Sequence, residues 1–174
     1  MMNRMICFML ALLLSCSLFG CHYNDSGDFL EPVEFFYPRR PENYAYGAAD
    51  GVLASEIREG TGHIGDLTYL LSLYLRGPQD EGLRSPFPAG CKPEIVRQDG
   101  DTVYLVLSAE FAALENVELT VACASLTKTC LSLTDARQVR IDSTSESKTI
   151  SITMNADSLL MSDYSAFDAQ PVTE

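Results

Sequence analysis

The sequence predicts an α+β domain in which a mixed β-sheet of about five to six short strands carries two helices packed on one face. Three observations support this. Two segments, one after Asp66 and one from Leu114 to Leu133, repeat apolar residues at helical spacing. Several shorter runs alternate at period two or are rich in branched and aromatic residues. Gly, Pro and Asp-Gly punctuation separates these runs at short intervals. The domain is expected over residues 33–162, behind a leader at 1–20 and a flexible tether at 21–32, with a frayed tail at 163–174.

Val33 to Tyr37 is apolar and aromatic and stops at Pro38, which reads as a first strand. Val52 to Arg58 alternates weakly and reads as a second, ended by Gly60-Thr61-Gly62. Asp66 is suited to cap a helix whose apolar positions Leu67, Leu70, Leu71, Leu73, Tyr74 and Leu75 form a broad face, and Gly77-Pro78 stops it. After a Pro- and Gly-rich loop through Gly90, Glu94 to Gln98 and Thr102 to Leu107 form two strands joined by the hairpin signal Asp99-Gly100. The second helix, Leu114 to Leu133, is expected to bury Leu119, Ala122, Cys123, Leu126, Cys130 and Leu133. Val139 to Asp142 and Thr149 to Met154 are the last strands, joined by the polar turn from Ser143 to Lys148.

The first residues carry a location. Arg4 precedes an apolar run from Met5 to Phe19, then Gly20-Cys21, which is the layout of a secretion leader with a cysteine at the cut. At ~1.5 Å per residue, roughly fifteen residues span about 22 Å, short of the ~30 Å core a spanning helix must cross. Leu18-Phe19-Gly20-Cys21 resembles the lipobox of bacterial lipoproteins, which implies acylation of Cys21 and a mature N-terminus there. A second box, Leu13-Leu14-Ser15-Cys16, is the competing cut, but it leaves Leu18-Phe19 exposed and shortens the apolar segment. Two acyl chains suffice for a stable anchor. The expected location is the outer face of the cell membrane.

The chain carries a formal charge of −12, and loss of the leader removes Arg4 alone among charged residues, giving −13. Such a surface repels phosphate backbones, so nucleic acid is not an expected partner. With the leader gone and Cys21 acylated, Cys91, Cys123 and Cys130 remain, an odd number for a disulfide framework. Cys123 and Cys130 lie about 10 Å apart along one helix, too far to bond within it. One of them can pair with Cys91, but three buried thiols acting as small hydrophobes are the favoured state.

Catalytic residue types are few. The chain has two histidines, His22 in the tether and His63 beside Gly62, and no tryptophan. A Cys91–His63 nucleophile pair requires the fold to bring the two together, which their spacing does not do. Asp99/Asp101 and Asp80/Glu81 are paired carboxylates of the kind that bind calcium, yet Asp-Gly-Asp in a hairpin is ordinarily turn chemistry. No cofactor, metal ligand set or catalytic residue is expected.

Three stretches in order carry a family resemblance. Leu70-Leu71-Ser72-Leu73-Tyr74-Leu75-Arg76-Gly77-Pro78 is a helix running into a Gly-Pro stop. Gly82-Leu83-Arg84-Ser85-Pro86-Phe87-Pro88-Ala89-Gly90 is a loop of small residues, proline and glycine. Val103-Tyr104-Leu105-Val106-Leu107-Ser108-Ala109-Glu110-Phe111 is a strand closing in a Ser-x-Glu-Phe turn. Together, over Val52 to Asp142, the chain resembles the GerMN domain of bacterial lipoproteins linked to sporulation and spore germination. The resemblance implies an α/β module similar to ring-building domains, which pack on neighbouring copies, and no catalytic residues. The chain departs from that pattern at Cys91 and in the Ser-rich extension from Ser143 to Met154.

These motif residues also have direct physical readings. Pro78, Pro86 and Pro88 fix φ, while Gly77, Gly82 and Gly90 permit angles other residues avoid. Ser108 and Glu110 sit where a strand turns toward a helix, placed to bond free N–H groups as a capping box does, and Phe111 is expected to plug the core beneath. The favoured function is a non-catalytic, membrane-anchored assembly module that packs on itself or on another exported envelope protein. The alternative is a ligand- or glycan-binding lipoprotein whose pocket is formed by the Pro/Gly loop with Tyr44, Tyr46 and Phe87.

Overall fold

A strand that covers a core on one side places every second side chain there, and Val33, Phe35 and Tyr37 do so along Pro32–Pro38, β1. The structure, a computed structural model, describes residues 31–41, 51–60 and 62–162. The expected leader, Cys21, nearly all of the tether, Tyr44, Tyr46 and the 163–174 tail lie outside the described residues. Among the described residues no helix is long and apolar enough to cross a membrane.

The remaining elements are β2 Leu53–Glu59, α1 Leu67–Tyr74, β3 Pro93–Asp99, β4 Thr102–Leu107, α2 Asn116–Leu133, β5 Gln138–Thr144 and β6 Thr149–Asn155. A 3-10 turn at Phe111–Ala113 precedes α2, and a 3-10 segment at Asp157–Ser162 follows β6. The α+β class holds, with the strands divided between two sheets. β1 and β2 pair antiparallel as one; the other is mixed, in the order β3-β4-β5-β6, with β4 and β5 parallel. A parallel pair needs a long crossover, and α2 supplies it.

The division has a visible cause. The second edge of β1 is satisfied by a helix: Thr129 Oγ1 accepts the Phe36 N–H at 2.9 Å, and Ser132 Oγ donates to the Glu34 carbonyl at 2.9 Å. α2 is therefore covered on both sides, by the mixed sheet and by β1. Its middle is buried almost all round, adding Ala124, Ser125, Thr127 and Thr129 to the expected positions Ala122, Cys123, Leu126 and Cys130. Small side chains allow that close approach on two faces.

α2 begins two residues later than expected. Leu114 is extended after the 3-10 turn, and Asn116 takes φ 50° at the helix start. α1 begins as expected, with Asp66 Oδ1 accepting the Tyr69 N–H at 3.0 Å. The β3–β4 hairpin pairs Asp99 with Thr102 around Gly100, whose φ of +55° suits glycine. The core runs from Val33, Phe35 and Tyr37 through Leu70, Leu71 and Tyr74 to Val103, Leu105, Leu107, Val139 and Ile141.

Candidate functional site

Where α1 meets the Pro/Gly loop, the sequence forces the chain to turn and the tertiary structure holds the turn. Gly77 has φ +97°, in a region that side chains disfavour, and its N–H donates to the Tyr74 carbonyl at 3.0 Å. Pro78 then bars further helix. The clamp comes from β2. Opposite partners across a ladder share a face, so the pairing of Val33 with Arg58 and Phe35 with Glu56 aims both charged side chains at the core.

Arg58 Nε donates to Glu56 Oε1, and Arg58 Nη2 donates to the Gly77 carbonyl at 2.6 Å. Longer contacts of 3.4 Å reach the Leu73 carbonyl and the Tyr37 hydroxyl. The other carboxylate oxygen of Glu56 accepts the N–H groups of Gln79 at 2.8 Å and Asp80 at 2.7 Å. The Arg58 guanidinium also sits over the Phe35 and Tyr37 rings, 5.3 and 5.7 Å from their centroids. One buried ion pair thus ties the carbonyl end of α1 to the loop that leaves it.

Sequence reading passed over Glu56 and Arg58. They flank Ile57, which is 71% exposed, so in β2 the charged side chains turn to the core and the branched apolar one to solvent. Only the register with β1 reveals it.

An aromatic ladder backs the same region. Tyr74 lies against Phe35, Tyr37 and Phe87, with centroid distances of 5.5, 4.7 and 5.3 Å, and Phe87 meets Phe111 at 6.4 Å. The Tyr37 hydroxyl donates to the Tyr74 carbonyl at 2.7 Å and the Tyr74 hydroxyl to the Phe36 carbonyl at 2.8 Å. Burial pushes both phenols up from their ordinary value.

The rest of the loop is tied down locally. Asp80 Oδ1 accepts the Gly82 N–H at 2.7 Å, and Leu83 bridges to Arg39 as a short extension of β1. Ser85 Oγ accepts the Phe87 N–H at 3.2 Å, and Pro86 is buried. Pro88 and Cys91 close a turn at 3.2 Å around Gly90, whose φ is +84°.

The loop exit meets the Ser-x-Glu-Phe turn, where the expected capping geometry is corrected. Ser108 Oγ accepts the Lys92 N–H at 3.1 Å, and Glu110 makes no side-chain cap bond to the 3-10 turn. Because β4 ends beside the start of β3, the free N–H within reach of Ser108 belongs to Lys92 rather than to a helix. The Ser108 carbonyl in turn accepts Ser143 Oγ at 2.9 Å. A hydrogen bond from Ser108 holds the exposed Glu110 carboxyl below its usual range. Phe111 is fully buried.

The structure does not assemble the nucleophile considered from sequence. His63 is exposed and stacks on Tyr69 at 3.7 Å, whereas Cys91 is buried beside Ser108 and Glu110. Among the described residues no hydrogen bond joins them. Nor do the carboxylate pairs converge: Asp99 faces Arg97 at 3.8 Å and Asp101 faces Arg137 at 3.4 Å. Among the described residues no group of three or more His, Cys, Asp or Glu is placed to hold a metal ion. Phe87, assigned to the alternative ligand pocket, spends its ring on the core. A cleft of about 660 Å³ opens elsewhere, between the start of α1, β3 and the end of α2, lined by Ile64, Leu67, Leu70, Val96 and Leu133 among others.

Cys91, Cys123 and Cys130 are free and buried. Burial first, and then the Glu110 charge, push the Cys91 thiol up to about 11; burial pushes Cys123 to about 12 and Cys130 higher. They are poor nucleophiles at neutral pH. Unfolded thiols near 9 lose protons that the native state retains, so this contribution to stability is complete below about pH 9 and is lost as pH rises through about 11. The urea midpoint is expected to fall between pH 9 and 11, and a Cys91→Ala variant to fall less steeply over that interval. Equal slopes for the two proteins would contradict the shift at Cys91.

Comparison with known proteins identifies a family from the sequence. The model for the family described as Germane, sporulation and spore germination, matches residues 46–148, more than half of the chain. A solved Clostridium perfringens protein described as a lipoprotein is similar over 78% of this chain and 95% of its own, with 13% identity and a TM-score of 0.47. No curated protein matches. The residues matched run from the segment before β2 to the β5–β6 turn and so include the clamped loop, the Ser108 tie and the α2 crossover: the chain belongs to the Germane family of sporulation and spore germination.

Proposed function

We propose that this chain is a non-catalytic lipoprotein, anchored on the outer face of the cell membrane through Cys21, that works as an assembly module. It packs on itself or on another exported envelope or sporulation protein. The observation that carries the reading is the clamped 77–91 loop. A buried ion pair bonded to Gly77, Gln79 and Asp80, together with the Phe87–Phe111 contact, holds the shape of a loop that carries the exposed residues Gln79, Asp80, Glu81, Ser85, Ala89 and Gly90. The Cys91, Cys123 and Cys130 thiols are buried, and burial raises each of them so that they stay protonated at neutral pH. A fixed shape suits recognition by another protein.

The leader supplies the second half of the reading. Confinement to a plane raises the effective concentration of partners, so modest contacts suffice for assembly. In cells, Cys21→Ala is expected to move the protein from the membrane pellet to the soluble fraction and to remove the species captured by crosslinking of intact cells. A Cys21→Ala protein that stays in the pellet would sink the anchor. A wild-type protein that crosslinks neither to itself nor to an exported protein would sink the assembly role.

A further inference from the structure

Among the described residues, the four-stranded sheet buries one face under the helices and leaves the other open. On the open face the register aligns Ile95, Val106 and Asp142 in one row and Arg97, Tyr104 and Arg140 in the next. Ile95 is 52% exposed, and the Tyr104 and Val106 side chains are half-buried. Arg97 covers the Tyr104 ring at 4.0 Å, and Arg140 donates to Asp142 at 2.9 Å. Exposed pairs of this kind contribute little on their own, so they exchange partners at small cost.

Charge sets this face apart. Arg97 and Arg140 balance Asp99 and Asp142 in and beside these rows, on a chain whose formal charge is −12. With a screening length of ~8 Å at physiological salt, two copies of so acidic a molecule approach with least repulsion where the local charge vanishes. The pattern is also self-complementary. A two-fold axis lying across the strands, between the two rows, sets each row of one copy on the other row of its partner. Tyr104 then meets Val106, Ile95 lies under Arg97, and Arg140 faces Asp142, each contact occurring twice.

We propose that a second copy of this chain covers the open face of the sheet through this two-fold arrangement, an inference that rests on the assembly reading and names its surface. The face measures about 20 Å along the strands by about 19 Å across them, roughly 400 Å² per copy, against ~800 Å² per partner in stable complexes. The contact is therefore weak in dilute solution and forms where the anchor concentrates the copies.

The test uses the full lipidated chain, fused at its C-terminus to donor or acceptor fluorescent proteins and reconstituted in vesicles at rising surface density. Arg140→Asp and Asp142→Arg are each expected to weaken association at least tenfold, and the double variant to return it to within threefold of wild type. Ile95→Glu, at an exposed position away from that ion pair, is expected to weaken it as well, with circular dichroism checking that every variant folds. Folded single variants that associate like wild type, or a double variant as weak as the singles, would overturn this surface while leaving self-association intact. Wild-type transfer no higher than that of a non-interacting anchored control would overturn both the surface and self-association.

Discussion

Arg58→Met should destabilise the domain by about 3 kcal/mol or more, because it leaves the Glu56 carboxylate buried without its cation, and breaking one side of a buried pair typically costs 3–5 kcal/mol. The two side chains are 6% and 10% exposed, so solvent does little to relieve the loss. Glu56 keeps the N–H groups of Gln79 and Asp80, which places the effect toward the lower end. The Gly77 carbonyl loses its donor in the same step. Urea unfolding of Arg58→Met, Glu56→Gln and the double variant closes the cycle, and the double is expected to cost less than the sum of the singles. Faster hydrogen exchange at Gln79 and Asp80 in Glu56→Gln would localise the damage to the clamp. A loss below about 1 kcal/mol for Arg58→Met would show that the pair does not hold the loop.

Phe111→Ala should cost a further 3–5 kcal/mol, the usual range for emptying an aromatic site that cannot collapse. Phe111 is fully buried, ends the Ser-x-Glu-Phe turn and backs Phe87. Its removal takes support from the loop and from the start of the 3-10 turn together. Set against the ~5–15 kcal/mol by which domains of this size are stable, the variant is expected to be marginal or unfolded at 37 °C. Phe111→Leu, which keeps most of the volume, should lose only about 1.5 kcal/mol. Thermal unfolding of the pair distinguishes packing from any general intolerance of the position: equal losses for Ala and Leu would contradict the cavity account.

Both variants disturb contacts that link different elements, and the two sites differ in how far the chain itself announced them. Phe111 was legible, since an aromatic at the end of a buried alternating strand has little else to do. Glu56 and Arg58 were not, because a strand read alone puts Ile57 inward and its charged neighbours outward. Pairing with β1 reverses that choice: Phe35 and Tyr37 must face the core, and ladder geometry then takes Glu56 and Arg58 with them. Ser108 is an intermediate case. Its need for a backbone partner followed from its place at a strand end, but which N–H it accepts depended on where β3 starts.

The open sheet face follows the same division. Period-two alternation marked Val103, Leu105 and Leu107 as the buried set, and so left Tyr104 and Val106 outside. That Arg97 and Arg140 would flank Tyr104 required the order and direction of four strands.

By itself the sequence determined the α+β class, the existence and order of both helices and six strands, the Gly77-Pro78 stop, the three unbridged thiols and the family. Each of these rests on periods of 2 and 3.6, on capping and turn residues or on composition, which act over a few neighbouring positions. Tertiary structure decided that the strands split into sheets of two and four, that α2 is buried on both sides, and that an ion pair points inward to clamp the loop. Those outcomes depend on which edge or face meets which, and the energies that choose among such meetings come from groups dozens of residues apart in the chain.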